Sequence, residues 1–191
     1  GLGPQSVSEL IEMAKKNPGK FSFGSDGTGS GTHMAGEQFK FMAGFNAVHV
    51  PHKGAPEALA DTMAMRIQYW LSPLGPALSL IREGKLLALG VSTAQRADVL
   101  PDVPTIAQGG LPGYEVGSWY GIFAPGRTPP AVIAQANAAI ARIVNAPELK
   151  ERMREQGVGL VSSTPEEFRK LVDNDVTTFR KVVKAANIKV D

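Results

Sequence analysis

Apolar and polar positions change period repeatedly along the first half of the chain. Val7, Leu10, Ile11 and Ala14 fall at helical spacing behind Ser6-Val7-Ser8-Glu9, which has capping-box form, with Lys15 and Lys16 in the last turn before Asn17-Pro18-Gly19. Phe21 and Phe23 then alternate as a strand. A glycine and hydroxyl loop follows, and the next helical run, from near Met34, carries Ala35, Phe39 and Met42 on one face and stops at Gly44. Val48 and Val50 alternate in a second strand, and Pro51-His52-Lys53-Gly54 turns into a helix with Leu59 and Met63 inward. A third strand is predicted over Ile67-Gln68-Tyr69-Trp70-Leu71. Ser72-Pro73-Leu74-Gly75-Pro76 opens a helix with Leu78 and Ile81 on its face, stopped by Gly84 before a strand from Leu86 to Val91. Strands alternating with helices in this rhythm predict an α/β fold, a mostly parallel sheet flanked by helices.

The rhythm breaks between Thr93 and Tyr114, where Pro and Gly punctuate the sequence and a linker or hinge is expected. Beyond it, Trp119 to Ala124 is strand-like. Thr128-Pro129-Pro130 reads as an N-cap opening a helix with Val132, Ile133, Ala136, Ile140 and Ile143 inward. Pro147 to Gln156 is a short charged helix ended by Gly157. Thr164-Pro165-Glu166-Glu167 is a second capping box, and Phe168, Leu171, Val172, Val176, Phe179 and Val183 trace a long amphipathic helix.

The loop Gly24-Ser25-Asp26-Gly27-Thr28-Gly29-Ser30-Gly31-Thr32-His33 is the strongest chemical signal. Lying between a strand and a helix, it is predicted to start that helix between Ser30 and His33. Unpaired backbone N–H groups would then sit at the positive end of the helix dipole, which suits a carboxylate or phosphate. Ser25, Thr28, Ser30 and Thr32 add short hydroxyls. The sequence is neither a Walker A loop, a nucleophile elbow nor a dinucleotide fingerprint. Turns after parallel strands gather along one sheet edge, which adds His52, Lys53, Gly54 and Ser72 to the candidate ligand-binding set of Ser25, Gly27, Thr28, Gly29, Ser30, Thr32 and His33.

Composition narrows the rest. The chain has 191 residues, 43% hydrophobic and 20% charged, with a net charge of +2 and no basic run longer than two residues, so no nucleic-acid partner is expected. Without cysteine there is no disulfide, thiolate metal site or Cys nucleophile. His33, His49 and His52 do not form a metal-binding pattern, because His49 and His52 tend to face opposite sides of a sheet. No metal, cofactor or catalytic residue is predicted. A hydrolase reading using Ser30 and His33, with Asp26, stands as an alternative, weakened by how close these residues lie on one loop. Trp70 and Trp119 read as packing residues.

Taken in order, several motifs carry a resemblance. They are Asn17-Pro18-Gly19-Lys20, Ser25 to His33 leading into Ala35-Gly36-Glu37-Gln38-Phe39, His49-Val50-Pro51-His52-Lys53-Gly54, Gly84-Lys85-Leu86, Leu100-Pro101-Asp102-Val103-Pro104-Thr105, Gly110-Leu111-Pro112-Gly113 and Ser163 to Phe168. The series closely resembles the Bug-type solute-binding proteins of tripartite tricarboxylate transporters. That resemblance implies a periplasmic-binding-protein-like fold whose two lobes close on a small organic acid and hand it to membrane transporter subunits. It also implies no enzymatic activity and a periplasmic location; a sensory ligand-binding module would share the same site. On this basis residues 1–113 correspond to the second lobe, and 114–191 to a C-terminal segment that returns to the first lobe. That first lobe's own glycine-rich turn has no counterpart here. Uncovered apolar faces of the segment are expected to pack on another copy of the chain, exchange between chains or be loosely ordered. Two departures bear on specificity: His52 where the family usually has Tyr, and Gln68 aligned where it usually has Asp.

Overall fold

The computed structural model describes residues 3–185 and Ile188; the last residues of the 114–191 segment lie outside them. Helix α1 (Val7–Lys16) is capped by Ser6, whose Oγ accepts from Glu9 N at 3.1 Å, and Glu9 Oε2 accepts from Gln5 N in return. Then come β1 (Phe21–Ser25), α2 (Gly31–Ala43), β2 (Ala47–Pro51), α3 (Ala55–Met63), β3 (Tyr69–Trp70) and α4 (Leu74–Arg82). The three strands form one parallel sheet in the order β2-β1-β3, so the turns after all three leave from its carboxyl edge.

Helix α2 packs closely on β1. Gly36 makes this possible, because a Cβ there would overlap the Phe23 ring. The helix buries Ala35, Phe39 and Ala43 at four-residue spacing, whereas Met42 is exposed, being one position off that stripe. It ends at Gly44, which adopts φ 69° and ψ 45°, a left-handed conformation glycine takes without Cβ strain. Helix α3 likewise turns Ala58 and Leu59 inward and leaves Met63 exposed.

Three predicted strands change. Pairing in the third is limited to Tyr69 and Trp70, although Ile67 is buried. Leu86 to Val91 forms no strand; Val91 makes a single parallel bridge to Thr105. Trp119 to Ala124 has no strand partner among the described residues, and Tyr120, Ile122 and Phe123 are exposed. An apolar segment becomes a strand only where another backbone lies alongside it.

The 93–114 segment is not a linker. Thr105, Ile106, Leu111 and Tyr114 are buried, and the last three join Val7, Leu10, Ile11, Phe39 and Tyr69 in the core. Glycines that suggest mobility in the sequence here permit close approach: a Cβ at Gly109 would meet Val7, and one at Gly110 would meet Ser8. Tyr114 Oη donates to Ala35 O at 2.9 Å, tying the end of the segment to α2.

Helices α5 (Pro130–Val144), α6 (Pro147–Glu155) and α7 (Pro165–Ala185) follow. Pro129, rather than Thr128, occupies the N-cap of α5, and Val132, Ala136 and Ile143 are exposed where the periodicity placed them inward. The second capping box is complete: Glu167 N donates to Thr164 Oγ1, and Thr164 N donates to Glu167 Oε2. Trp119 Nε1 donates to Asp175 Oδ2 at 2.6 Å, and Gly121 packs under Phe168.

Gly36→Ala is expected to lower stability by about 1–3 kcal/mol, since α2 must lift from Phe23 to admit the methyl group. Urea denaturation would measure it; an unchanged midpoint would show that this contact does not set the helix position.

Candidate functional site

Strand β1 ends at Ser25, which is 0% exposed, and α2 begins at Gly31. The helix start therefore falls in the predicted window. Ser30 caps it in extended conformation (φ −68°, ψ 162°), its Oγ accepting from His33 N at 3.2 Å.

Between them the loop is held by its own side chains. Asp26 N donates to Thr32 Oγ1 at 2.8 Å, Gly27 N to Ser25 Oγ at 3.1 Å, Gly29 N to His33 Nδ1 at 3.1 Å, and Ser30 N to Gly27 O at 3.2 Å. Among the described residues, the amides of Thr28, Gly31 and Thr32 have no acceptor. Gly27 and Gly29 have φ of 129° and 80°, positions from which side chains are nearly excluded. Thr28 and Gly29 are exposed, whereas Thr32 and His33 are buried.

A polar array lies beneath the loop. His49, on β2, places Nε2 2.6 Å from Ser25 Oγ. Its ring stacks on His33 with centroids 3.6 Å apart and planes 9° from parallel, and both rings lie against Phe23. His33 Nε2 is 3.9 Å from Glu37 Oε1, and Lys40 Nζ is 2.8 Å from Glu37, a carboxylate that is 5% exposed. Burial, then the neighbouring His33, Lys40 and His52, depresses His49 to about 4. Burial also lowers His33, opposed by Glu37 and assisted by Lys40. Burial raises Asp26, with His52 and the Thr32 hydroxyl opposing it.

The other two turns share the same sheet edge. His52 lies on the face opposite His49, its ring over Gly24, and its Nε2 is 3.0 Å from Asp61 Oδ2. Asp61 also accepts from Arg66 at 2.6 Å, and the hydrogen bonds from Arg66 and His52 hold its carboxyl below the usual range. His52 N donates to Ser25 O at 3.0 Å, fastening this turn to the end of β1. Lys53 is exposed, its N–H bonded to Glu57 Oε2 at 3.1 Å. Gly54 starts α3 with φ 151°, and Ser72 Oγ donates to Pro73 O at 2.7 Å.

This arrangement suits holding an anion and does not suit a serine nucleophile. Ser30 Oγ faces the His33 N–H, while the His33 ring is engaged by Gly29. Ser25 and His49 have the spacing of a nucleophile and base, but Ser25 is fully buried and a ring at about 4 is a weak base near neutral pH. The sequence reading gave His49 no role. A spacing of sixteen residues across a helix and a strand leaves no local pattern that would reveal the stack.

A parallel sheet whose loops gather at its carboxyl edge beside a helix N-terminus is an α/β arrangement, and in such folds that edge is where ligands bind. Residues 3–188 match the family described as the tripartite tricarboxylate transporter family receptor, and the chain belongs to it. A UPF0065 protein encoded in the tcbD-tcbE intergenic region of Pseudomonas sp. (strain P51) is 33% identical over 94% of the chain and 54% of its own length. Among solved structures, R. palustris Rpa4515 with adipate is 31% identical, with a TM-score of 0.91, covering 98% of this chain and 63% of that one. MatC (Rpa3494) from Rhodopseudomonas palustris with bound malate is 28% identical, with a TM-score of 0.83, covering 94% and 62%. The chain thus spans a little over half the length of the Pseudomonas relative, and under two thirds of either solved chain.

A histidine lowered in the folded state binds its proton more readily when unfolded. His49 therefore favours the fold fully above 6.5 and less as pH falls towards about 4. Denaturation midpoints measured across this window should fall on acidification, and His49→Asn should flatten the slope; an unchanged slope would count against a neutral, half-buried His49. Asp26, raised in the fold, works in the opposite direction, so the difference between variant and parent isolates the histidine.

Proposed function

We propose that this chain is the ligand-binding lobe, with the returning C-terminal segment, of a periplasmic receptor that binds a small organic acid and delivers it to membrane transporter subunits. The observation that carries the reading is the set of amides left without acceptors at Thr28, Gly31 and Thr32, at the start of α2 and beside the exposed Thr28 hydroxyl. A helix N-terminus with unpaired N–H groups attracts a carboxylate through its dipole and hydrogen-bonds it directly. Family membership supports the receptor role, and the adipate and malate in two related structures support the ligand class.

The proposed site keeps Thr28, Ser30, Thr32 and the Gly31 amide as ligand contacts, with Gly27 and Gly29 shaping the loop and Lys53, Gly54 and Ser72 on the same edge completing one wall. His52 is held by Asp61, which makes it a fixed polar surface where the family usually places Tyr. The division at about residue 113 is supported by burial: among the described residues Tyr114 is the last of the buried core, and the apolar Tyr120, Ile122 and Phe123 beyond it are exposed. With one wall of the site in this chain, weak binding is expected from it alone.

Titrating the isotope-labelled chain with malate and adipate should move the amide signals of Thr28, Gly31 and Thr32 first, with no turnover of esters. Thr28→Val should weaken the response by about 1–3 kcal/mol, the loss of a hydroxyl donor to a charged acceptor. Shifts confined to other surfaces, or none at high millimolar ligand, would refute the assignment.

A further inference from the structure

We propose that His49 is a positioning residue of the carboxylate loop, holding Ser25 through Nε2 and the ring of His33 through its face. The two imidazoles together decide which amides of the loop are committed inside the fold and which are left for a ligand.

The bonds fix the protonation states. Gly29 N–H donates to His33 Nδ1, so that nitrogen carries a lone pair and the His33 proton sits on Nε2, directed towards Glu37. A second ring lies parallel at 3.6 Å; burial opposes charging either ring, the neighbouring His33, Lys40 and His52 add to this at His49, and at His33 Glu37 works against it while Lys40 assists. The pair is therefore held neutral. Ser25 Oγ, fixed by His49, takes the Gly27 N–H, while His33 takes the Gly29 N–H. With Asp26 bonded to Thr32 and Ser30 to Gly27 O, the committed amides are 26, 27, 29 and 30. Thr28 N is left between two anchored glycines, and Gly31 and Thr32 follow at the helix start.

Packing alone does not account for a histidine here. An aromatic or aliphatic side chain would fill the half-buried space against Phe23 without placing a polar ring there. The groups that face His49 or bear on its charge are Ser25 and Phe23 from β1, His33, Glu37 and Lys40 from α2, Tyr69 from β3 through Phe23, and His52 from the turn after β2. Of these, Ser25 Oγ is the polar atom hydrogen-bonded to the His49 ring.

The functional half of this proposal rests on the loop being the carboxylate site; the structural half does not. Nitrogen-15 imidazole spectra of the whole chain should show His33 protonated at Nε2 alone at neutral pH, and the His49 ring should stay neutral until the pH approaches about 4. His49→Phe keeps the stack and removes Nε2, so Gly27 amide exchange should quicken by about tenfold while Gly29 stays within about twofold. His49→Ala should quicken both. A His33 proton on Nδ1, a His49 ring titrating near its ordinary 6.5, or unchanged Gly27 exchange in His49→Phe would overturn the proposal. Should the variants fail to fold, the wild-type imidazole spectra decide by themselves. Adipate that leaves Thr28, Gly31 and Thr32 unmoved in the wild type would remove the carboxylate role, whatever the spectra show about the histidines.

Discussion

Phe23 is the residue about which the site is assembled. It is 0% exposed, sits mid-strand in β1, and touches α2 at Gly36, both histidines of the stack, and Tyr69. A ring of this size in the central strand leaves α2 only one approach, and that approach is open because position 36 has no side chain. The same ring supplies an apolar wall beside the buried His33 and the half-buried His49. Lys40, paired with Glu37, lies 5.7 Å from the Phe23 centroid, so the charged pair closes over the aromatic cluster. The glycine loop inherits its position from these contacts, since one end is Ser25 on β1 and the other is the first turn of α2.

Much of this was legible in the sequence. The loop, the start of α2, both capping boxes and the left-handed stop at Gly44 follow from short-range chemistry, which acts within four or five residues. The sheet was legible where Phe21 and Phe23 meet Ala47 and His49 in register. Strands that depend on distant partners were not. Leu86 to Val91 and Trp119 to Ala124 have strand composition, yet among the described residues only Val91 finds a bridge partner. The 93–114 segment misled in the opposite direction, because proline and glycine mark turns but also let backbones approach closely. Gly90, Gly109 and Gly110 lie against α1 or its neighbours for that reason. The sequence marked His33 by its place after the loop as a ligand contact, whereas its ring is buried and holds the Gly29 amide. His49 was not legible, because its partners come from β1 and α2.

The second part of the chain is organised differently. Helices α5 and α6 contain no buried residues, and α5 is tied by polar links: Asn137 Nδ2 donates to Ser163 O, and Asn145 Nδ2, at its C-cap, to Ser162 Oγ. Helix α7 reaches back to α2, where Val172, Val176 and Phe179 line a hollow of about 620 Å³ with Gly31, Gly117 and Ser118. The start of α2 is thus bordered on one side by the loop it serves and on the other by the tail.

The internal bonding of the glycine loop has a further consequence, for the entropy of association. A flexible glycine-rich segment would have to become ordered each time an anion arrived, and that loss would be subtracted from every contact it made. Here the ordering is done once, when the chain folds, by Thr32, Ser25 and His33. A carboxylate bound as proposed would meet donors already in place, and differences between ligands would be left to the rest of their length and to the surfaces that meet it.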